Sequence, residues 1–304
     1  MINVSRYVAL VILISLFLSY AKAMYWQLDS IFLRYYNNTL EDYVDKKLNN
    51  VSFLVSKMDK NKPTVFYIHG FTENAENESV TTVVCAYLQR NDHNILIVDY
   101  RNISKLQYLE VVLAARFVGQ ALAQALNKMV LAGLNSEKLH IVSHSLGLDP
   151  AGPIFNFLKS HLSSTDARFV DIIHTDYGLY GTLRTGIVDF FPNGGHRLQP
   201  DCPQGSPFLS LGDFCSHRRS WKYYAESLIN ESSFMAVKCS SYHKFLAGNC
   251  NGNIEIPMGF ATPINAKGTF YLTINTGSLF GLKSLERCMD LIKNRATEDS
   301  YSSL

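Results

Sequence analysis

The tetrapeptide His144-Ser145-Leu146-Gly147 carries the strongest chemical signal in the chain. A serine hydroxyl is a weak nucleophile until a neighbouring base takes its proton. One architecture presents such a serine on a sharp bend between a strand and a helix. The bend needs small residues two before and two after the serine, because larger side chains collide with the adjoining strand and helix. Gly147 meets the second need, and Ser143 stands at the first in place of glycine. Ser-x-Ser-x-Gly is weak by itself; its place directly after the apolar run Leu139 to Val142 strengthens it.

Acyl transfer at such a serine also needs two backbone N–H groups aimed at the developing oxyanion. Leu146 offers one, just past the serine. Phe71 offers the other, in His69-Gly70-Phe71 at the end of the run Thr64 to Ile68. The plainer reading of that tripeptide is a turn; its position at a strand end favours the functional one.

The elements that must hold these groups are legible as patterns. Thr64 to Ile68, Asn94 to Asp99, Leu139 to Val142 and Phe169 to Ile173 read as buried strands, and Gly268 to Asn275 has strand composition. Between Tyr108 and Val130 apolar residues recur at helical spacing: Tyr108, Val111, Val112, Ala115, Val118, Leu122, Ala125, Leu126 and Met129. Gly133 sits where a helix cap is expected. Strands alternating with helical segments predict an α/β fold with a mostly parallel central sheet.

Residues 1–23 read as a secretory signal peptide: Arg6, the apolar run Val8 to Leu18, then Ala21-Lys22-Ala23 as cleavage site. That run is shorter than a membrane span, and no later segment reads as a span. Sequons at Asn37, Asn50, Asn77, Asn102 and Asn230 suit a secretory route, as does the even count of 6 cysteines. Cys202 with Cys215, and Cys239 with Cys250, bracket short loops that can close as disulfides; the pairing of Cys85 and Cys288 stays open. A net charge of +2 gives no nucleic-acid footprint.

The ordered matches YIHGF (67–71), IVDY (97–100), SHSLG (143–147), LDPAGP (148–153), FVDIIHTD (169–176), DFFPNGG (189–195) and CSHRRSWKYYAES (215–227) resemble the pancreatic-lipase family. The nearest branch is that of secreted insect-type neutral lipases and phospholipases A1. The resemblance implies an α/β-hydrolase domain over residues 24–284, with residues 285–304 as a polar tail and no C-terminal lipid-binding sandwich. It assigns Ser145 as nucleophile, His217 as general base and Asp149 as the acid that orients the imidazole. It also makes residues 203–214, between Cys202 and Cys215, a lid over the site. That flap is short, which leans the expected substrate toward phospholipids or other acyl esters rather than bulky fat. Family members often hold calcium after LDPAGP. Here Asp166 stands near the expected place, but Leu158, His161 and Ser163 cannot complete an oxygen-rich shell, so neither a metal nor another cofactor is expected.

One departure stands out. In the family a helix and a strand separate the nucleophile from the acid, whereas here only Leu146, Gly147 and Leu148 do. This reads as an internal deletion that truncates the fold. Several hundred Å² of lost apolar burial at ~25 cal/mol per Å² is about 10 kcal/mol, the scale of a whole domain's stability. Asp176, after the strand Phe169 to Ile173, is the alternative acid. The competing class is a lipase-fold lipid-binding or yolk-type storage protein without catalysis. Such proteins usually lack the nucleophile, and this chain has both Ser145 and His217.

Overall fold

Thr64–Ile68 (β3) and Asn94–Asp99 (β4) are apolar from end to end because both of their faces are covered. In the computed structural model, which describes residues 27–145, 162–178, 180–181, 184–208, 210–277 and 288, they pair in parallel with Val65 opposite Ile95. Phe66, Ile68, Leu96 and Val98 face helix Tyr108–Leu131, packing with its Val118, Leu122, Ala125 and Met129. Val65, Tyr67, Ile95 and Ile97 face the other way. They meet Val80, Val83, Val84 and Tyr87 of helix α1 (Glu78–Arg90), and Ala225 and Leu228 of a later helix, Cys215–Ile229.

Helix α2 (Tyr108–Leu131) begins at a capping box, with the Gln107 N–H donating to Glu110 Oε2 at 3.1 Å. It ends ahead of Gly133, whose φ of 109° no side chain would favour. The helix is long and apolar enough by composition to cross a membrane. Its Val111, Val118, Leu122 and Met129 face is buried under the sheet, as in a core helix.

Two five-stranded sheets result, in place of the mostly parallel sheet that the pattern predicts. The first has the order β2-β1-β4-β3-β5, where β1 is Phe32–Tyr36, β2 is Tyr43–Lys47 and β5 is Leu139–Ser143. Its β1–β2 hairpin is antiparallel and adds to the edge of β4; β5 is parallel to β3. The second has the order β6-β7-β10-β8-β9 (Asp171–Ile173, Val188–Pro192, Gly268–Leu272, Met235–Lys238 and Glu255–Pro257). It is parallel across β6, β7 and β10 and antiparallel beyond.

The break falls between β5 and β6, the facing edges of the two sheets. Among the described residues no ladder joins them, and none of residues 162–170 forms a strand. The cost shows in exposure: β5 is half-buried where β3 is fully buried, and Ile141 is 40% exposed.

Helix α3 (Cys215–Ile229) spans the two halves. Tyr224 on it shares a 2.6 Å hydrogen bond with Tyr87 of α1, and Arg90 Nη1 donates to its Leu228 carbonyl. The disulfides Cys202–Cys215 and Cys239–Cys250 form, and Cys85 pairs with Cys288. Residue 288, within the segment read as a tail, is therefore tied to α1. The signal segment 1–23 lies outside the described residues.

Candidate active site

Strand β5 delivers Ser145. The His144 N–H donates to the Ile68 carbonyl at 3.2 Å, carrying the ladder one residue past β5, and Ser145 follows with φ of 57°. A left-handed serine costs roughly 1–2 kcal/mol and persists only where its surroundings enforce it. The neighbour that leaves room for it is Gly70. A Cβ at that position would lie 2.9 Å from Ser145 Cβ and 3.2 Å from the His144 carbonyl oxygen, so the loop after β3 passes the bend with no room for a side chain.

His69 locks that loop. Its ring stacks on Tyr100 at 4.3 Å, and the Tyr100 hydroxyl donates to the His69 carbonyl at 2.7 Å. Nε2 faces the Tyr100 N–H and Nδ1 faces the Gly70 carbonyl, which fits the neutral tautomer protonated on Nδ1. Burial lowers this imidazole's pKa, in keeping with that form. The Thr72 N–H donates to the Ser104 carbonyl at 2.9 Å. The Phe71 ring sits edge-on to Tyr108 at 5.1 Å, while its N–H has no partner among the described residues. Leu146, the second expected oxyanion donor, lies outside the described residues.

His217 comes from the other half. It lies in the first turn of α3, and the Cys202–Cys215 bridge fixes the start of that helix. Its ring is 5.1 Å from that of His144 and 6.1 Å from that of Tyr180. Burial and the neighbouring His144 push its pKa down to about 3, so it is neutral at ordinary pH and able to accept a proton. Ser145 and His217 line one cavity of about 790 Å³, which occupies the gap between β5 and β6. Tyr67 Oη, His144 Nε2 and Trp221 Nε1, all from residues lining it, are buried without partners among the described residues.

Among the described residues none supplies the acid. Asp149 lies outside the described residues, as do Leu158 and His161. Asp176, the alternative, lines the same cavity, but both of its oxygens go to Arg197, at 2.7 Å from Nε and 2.9 Å from Nη2. Arg197 also reaches Asp213 at 2.5 Å, and the Tyr180 hydroxyl donates to Asp213. A buried arginine–carboxylate fork outcompetes a neutral imidazole for those oxygens, so Asp176 serves Arg197 and not His217. Among the described residues no carboxylate hydrogen-bonds the His217 ring. Asp166 accepts from the Ser163 N–H at 2.7 Å and closes a local turn.

Glu73 escaped the sequence reading. Its Oε2 accepts from the Gly70 N–H at 2.7 Å and lies 3.4 Å from His144 Nδ1, and its Oε1 accepts from Ser79 Oγ at 2.6 Å. Burial pushes this carboxyl upward, but His144, Ser79 and Gly70 together hold it down at about 2. The Gly-x-x-Glu spacing was its only trace in the sequence.

The segment between Cys202 and Cys215 exposes Phe208 (73%) and Leu211 (78%). Of the sequon asparagines, Asn37, Asn50, Asn102 and Asn230 are exposed, and Asn77 is half-buried, accepting from the Asn74 N–H.

A family model described as Lipase matches residues 19–147 and 146–280, two segments that meet just past Ser145. Pancreatic lipase-related protein 2 of Cavia porcellus is 31% identical over 256 residues, covering 74% of this chain and 57% of its own length. Pancreatic triacylglycerol lipase of Myocastor coypus is 30% identical, covering 75% of this chain and 60% of its own. That of Oryctolagus cuniculus is 29% identical and covers 90% of this chain and 69% of its own. This last alignment runs over 326 residues, more than the 304 present here, so the relative carries residues this chain lacks. The chain spans little more than half the length of the first two relatives.

Proposed function

This chain belongs to the pancreatic-lipase family, and from that premise we propose that it is a secreted hydrolase of lipid acyl esters. Ser145 Oγ attacks the ester carbonyl while His217 takes its proton. The Phe71 N–H, joined by that of Leu146, stabilises the oxyanion. His217 returns the proton to the departing alcohol; water then attacks the acyl-serine carbonyl with His217 again taking the proton, which passes to Ser145 Oγ as the fatty acid leaves. Asp149 orients the imidazole. The observation that carries the reading is the left-handed Ser145, packed against Gly70 and lining a cavity shared with His217. The exposed Phe208 and Leu211 on a short flap suit contact with a lipid surface and a phospholipid or other acyl ester in place of bulky fat. Three disulfides and exposed sequon asparagines support export and glycosylation.

The same reading includes loss of a helix and strand after Leu146. The two-segment family match and the unjoined edges of β5 and β6 support it. The second reading is a lipid-binding protein of this fold without turnover, favoured by the engagement of Asp176 with Arg197.

A fluorophosphonate probe separates the two. Labelling of the secreted protein that disappears in Ser145→Ala supports hydrolysis. A folded, monodisperse sample that resists the probe yet binds a fluorescent fatty acid supports the carrier. Sequencing the transcript across the codons for Gly147 and Leu148 tests the deletion.

A further inference from the structure

We propose that Glu73 is a positioning residue of this site: its carboxylate ties the Gly70 loop to His144 and, through His144, acts on His217. The inference rests on the reading of Ser145 and His217 as the reacting pair.

The argument begins with where the two oxygens go. Oε2 takes the Gly70 N–H at 2.7 Å, so it sets the path of the loop that carries the Phe71 donor. It also faces His144 Nδ1 at 3.4 Å, and His144 precedes the nucleophile in the chain. Oε1 is anchored to α1 through Ser79. One side chain thus braces the oxyanion loop, the serine bend and a core helix against each other. Because Gly70 abuts Ser145 with no spare space, a shift in this loop moves the bend as well.

The second part is charge. Two nearby carboxylates are matched by cations: Asp176 by Arg197, and Asp99 by Arg101, with the Ala75 N–H also donating to Asp99. Glu73, with its side chain 12% exposed, faces His144 Nδ1 at 3.4 Å and has no Lys or Arg within salt-bridge range among the described residues. His144 in turn stands ring to ring with His217 at 5.1 Å, and its Nε2 is buried without a partner among the described residues. When His217 takes the serine proton, a cation forms in a buried setting that disfavours it, and the charge of Glu73 opposes that penalty.

The test measures kinact and KI for fluorophosphonate labelling of Ser145 in the full-length secreted protein. Glu73→Gln keeps an acceptor for Gly70 but loses the charge, and is expected to lower kinact about 100-fold with KI within about twofold. Glu73→Asp restores the charge and recovers to within about tenfold of wild type. His144→Phe lowers kinact comparably, and adding Glu73→Gln to it costs little more, since coupled residues are not additive. Glu73→Gln within about threefold of wild type, or additive losses in the double variant, overturns the proposal. Wild-type protein that is folded but never labelled would sink the hydrolase reading instead. Imidazole NMR then judges Glu73 by itself: loss of the Nδ1–H signal of His144 in Glu73→Gln supports the tie, and an unchanged signal refutes it.

Discussion

The sheet that carries Ser145 and the sheet that leads to His217 are held by different forces. In the first, every residue of β3 and β4 is buried and helices cover both faces. In the second, strands are shorter and polar or covalent ties recur. Arg197 joins Asp176 to Asp213, and His174 bonds Asp189 at 2.8 Å while stacking on Phe191. Cys239–Cys250 packs beside the rings of Phe191 and Tyr271. Parallel strands buried on both faces gain stability from apolar area. A short strand at an open edge lacks that area, so directed contacts set its position. Ser145 thus follows a half-buried edge strand laid against that slab of core, and His217 sits on α3, which packs on both halves and is pinned at its start by Cys202–Cys215.

Substitutions that strike one half and not the other test this contrast. The largest effect is expected from His217→Asn, which should slow fluorophosphonate labelling of Ser145 by about 10⁴ while leaving the melting temperature near wild type. Labelling at an ordinary rate would mean the second sheet does not furnish the base. Gly70→Ala comes next. Its methyl group would press on Ser145 Cβ at 2.9 Å, so a loss of about 1–3 kcal/mol in denaturant unfolding is expected, with labelling cut about 100-fold.

Arg197→Met sharpens the difference in support. It strands the buried Asp176, and should cost about 3 kcal/mol, toward the low end for such breaks because Arg197 is 26% exposed. Lys47→Met, which removes the exposed pair with Asp29 in the first half, should cost less than about 1 kcal/mol. Equal losses from the two would erase the distinction drawn here.

The smallest effects are pH-dependent and opposite in sign. Burial holds His217 at about 3 and His140 at about 4, below the ordinary histidine value of 6.5. The unfolded chain therefore binds more protons than the folded one between these values, and stability should fall as pH drops from about 6.5 toward 3. Asp171 on β6 is raised by burial to about 6. There the folded state holds the extra proton, so stability declines as pH rises from about 4 through 6. Asp171→Asn should then be more stabilising at pH 8 than at pH 4, as read by thermal melts at the two pH values.

Much of the first half was legible in the residues. Thr64–Ile68 and Asn94–Asp99 form strands with the predicted bounds, and the amphipathic spacing found α2 to within one residue of Leu131. Continuous apolar runs and a 3.6-residue period are local signals that burial on both faces, or on one, writes into the chain. The hairpin Phe32–Tyr36 and Tyr43–Lys47 went unread because YVDKK is polar and exposed, strand by pairing more than by composition. Helix α3 was missed as well; its motif directed attention to His217 and away from the helical spacing of Trp221, Ala225 and Leu228.

Residue types and order determined which groups are available: a serine after an apolar strand, a His-Gly-Phe at a strand end, a histidine next to a bridged cysteine. These are properties of short segments, and short segments carry them intact. Tertiary structure alone decided who partners whom. It gave Asp176 to Arg197, set Glu73 under Gly70 and His144, joined Cys85 to Cys288, and split the expected sheet at β5 and β6. Each of these joins residues distant in sequence or depends on which of several competing donors comes nearest. Hydrogen bonds and ion pairs act over a few ångströms, and the chain must fold before such distances exist.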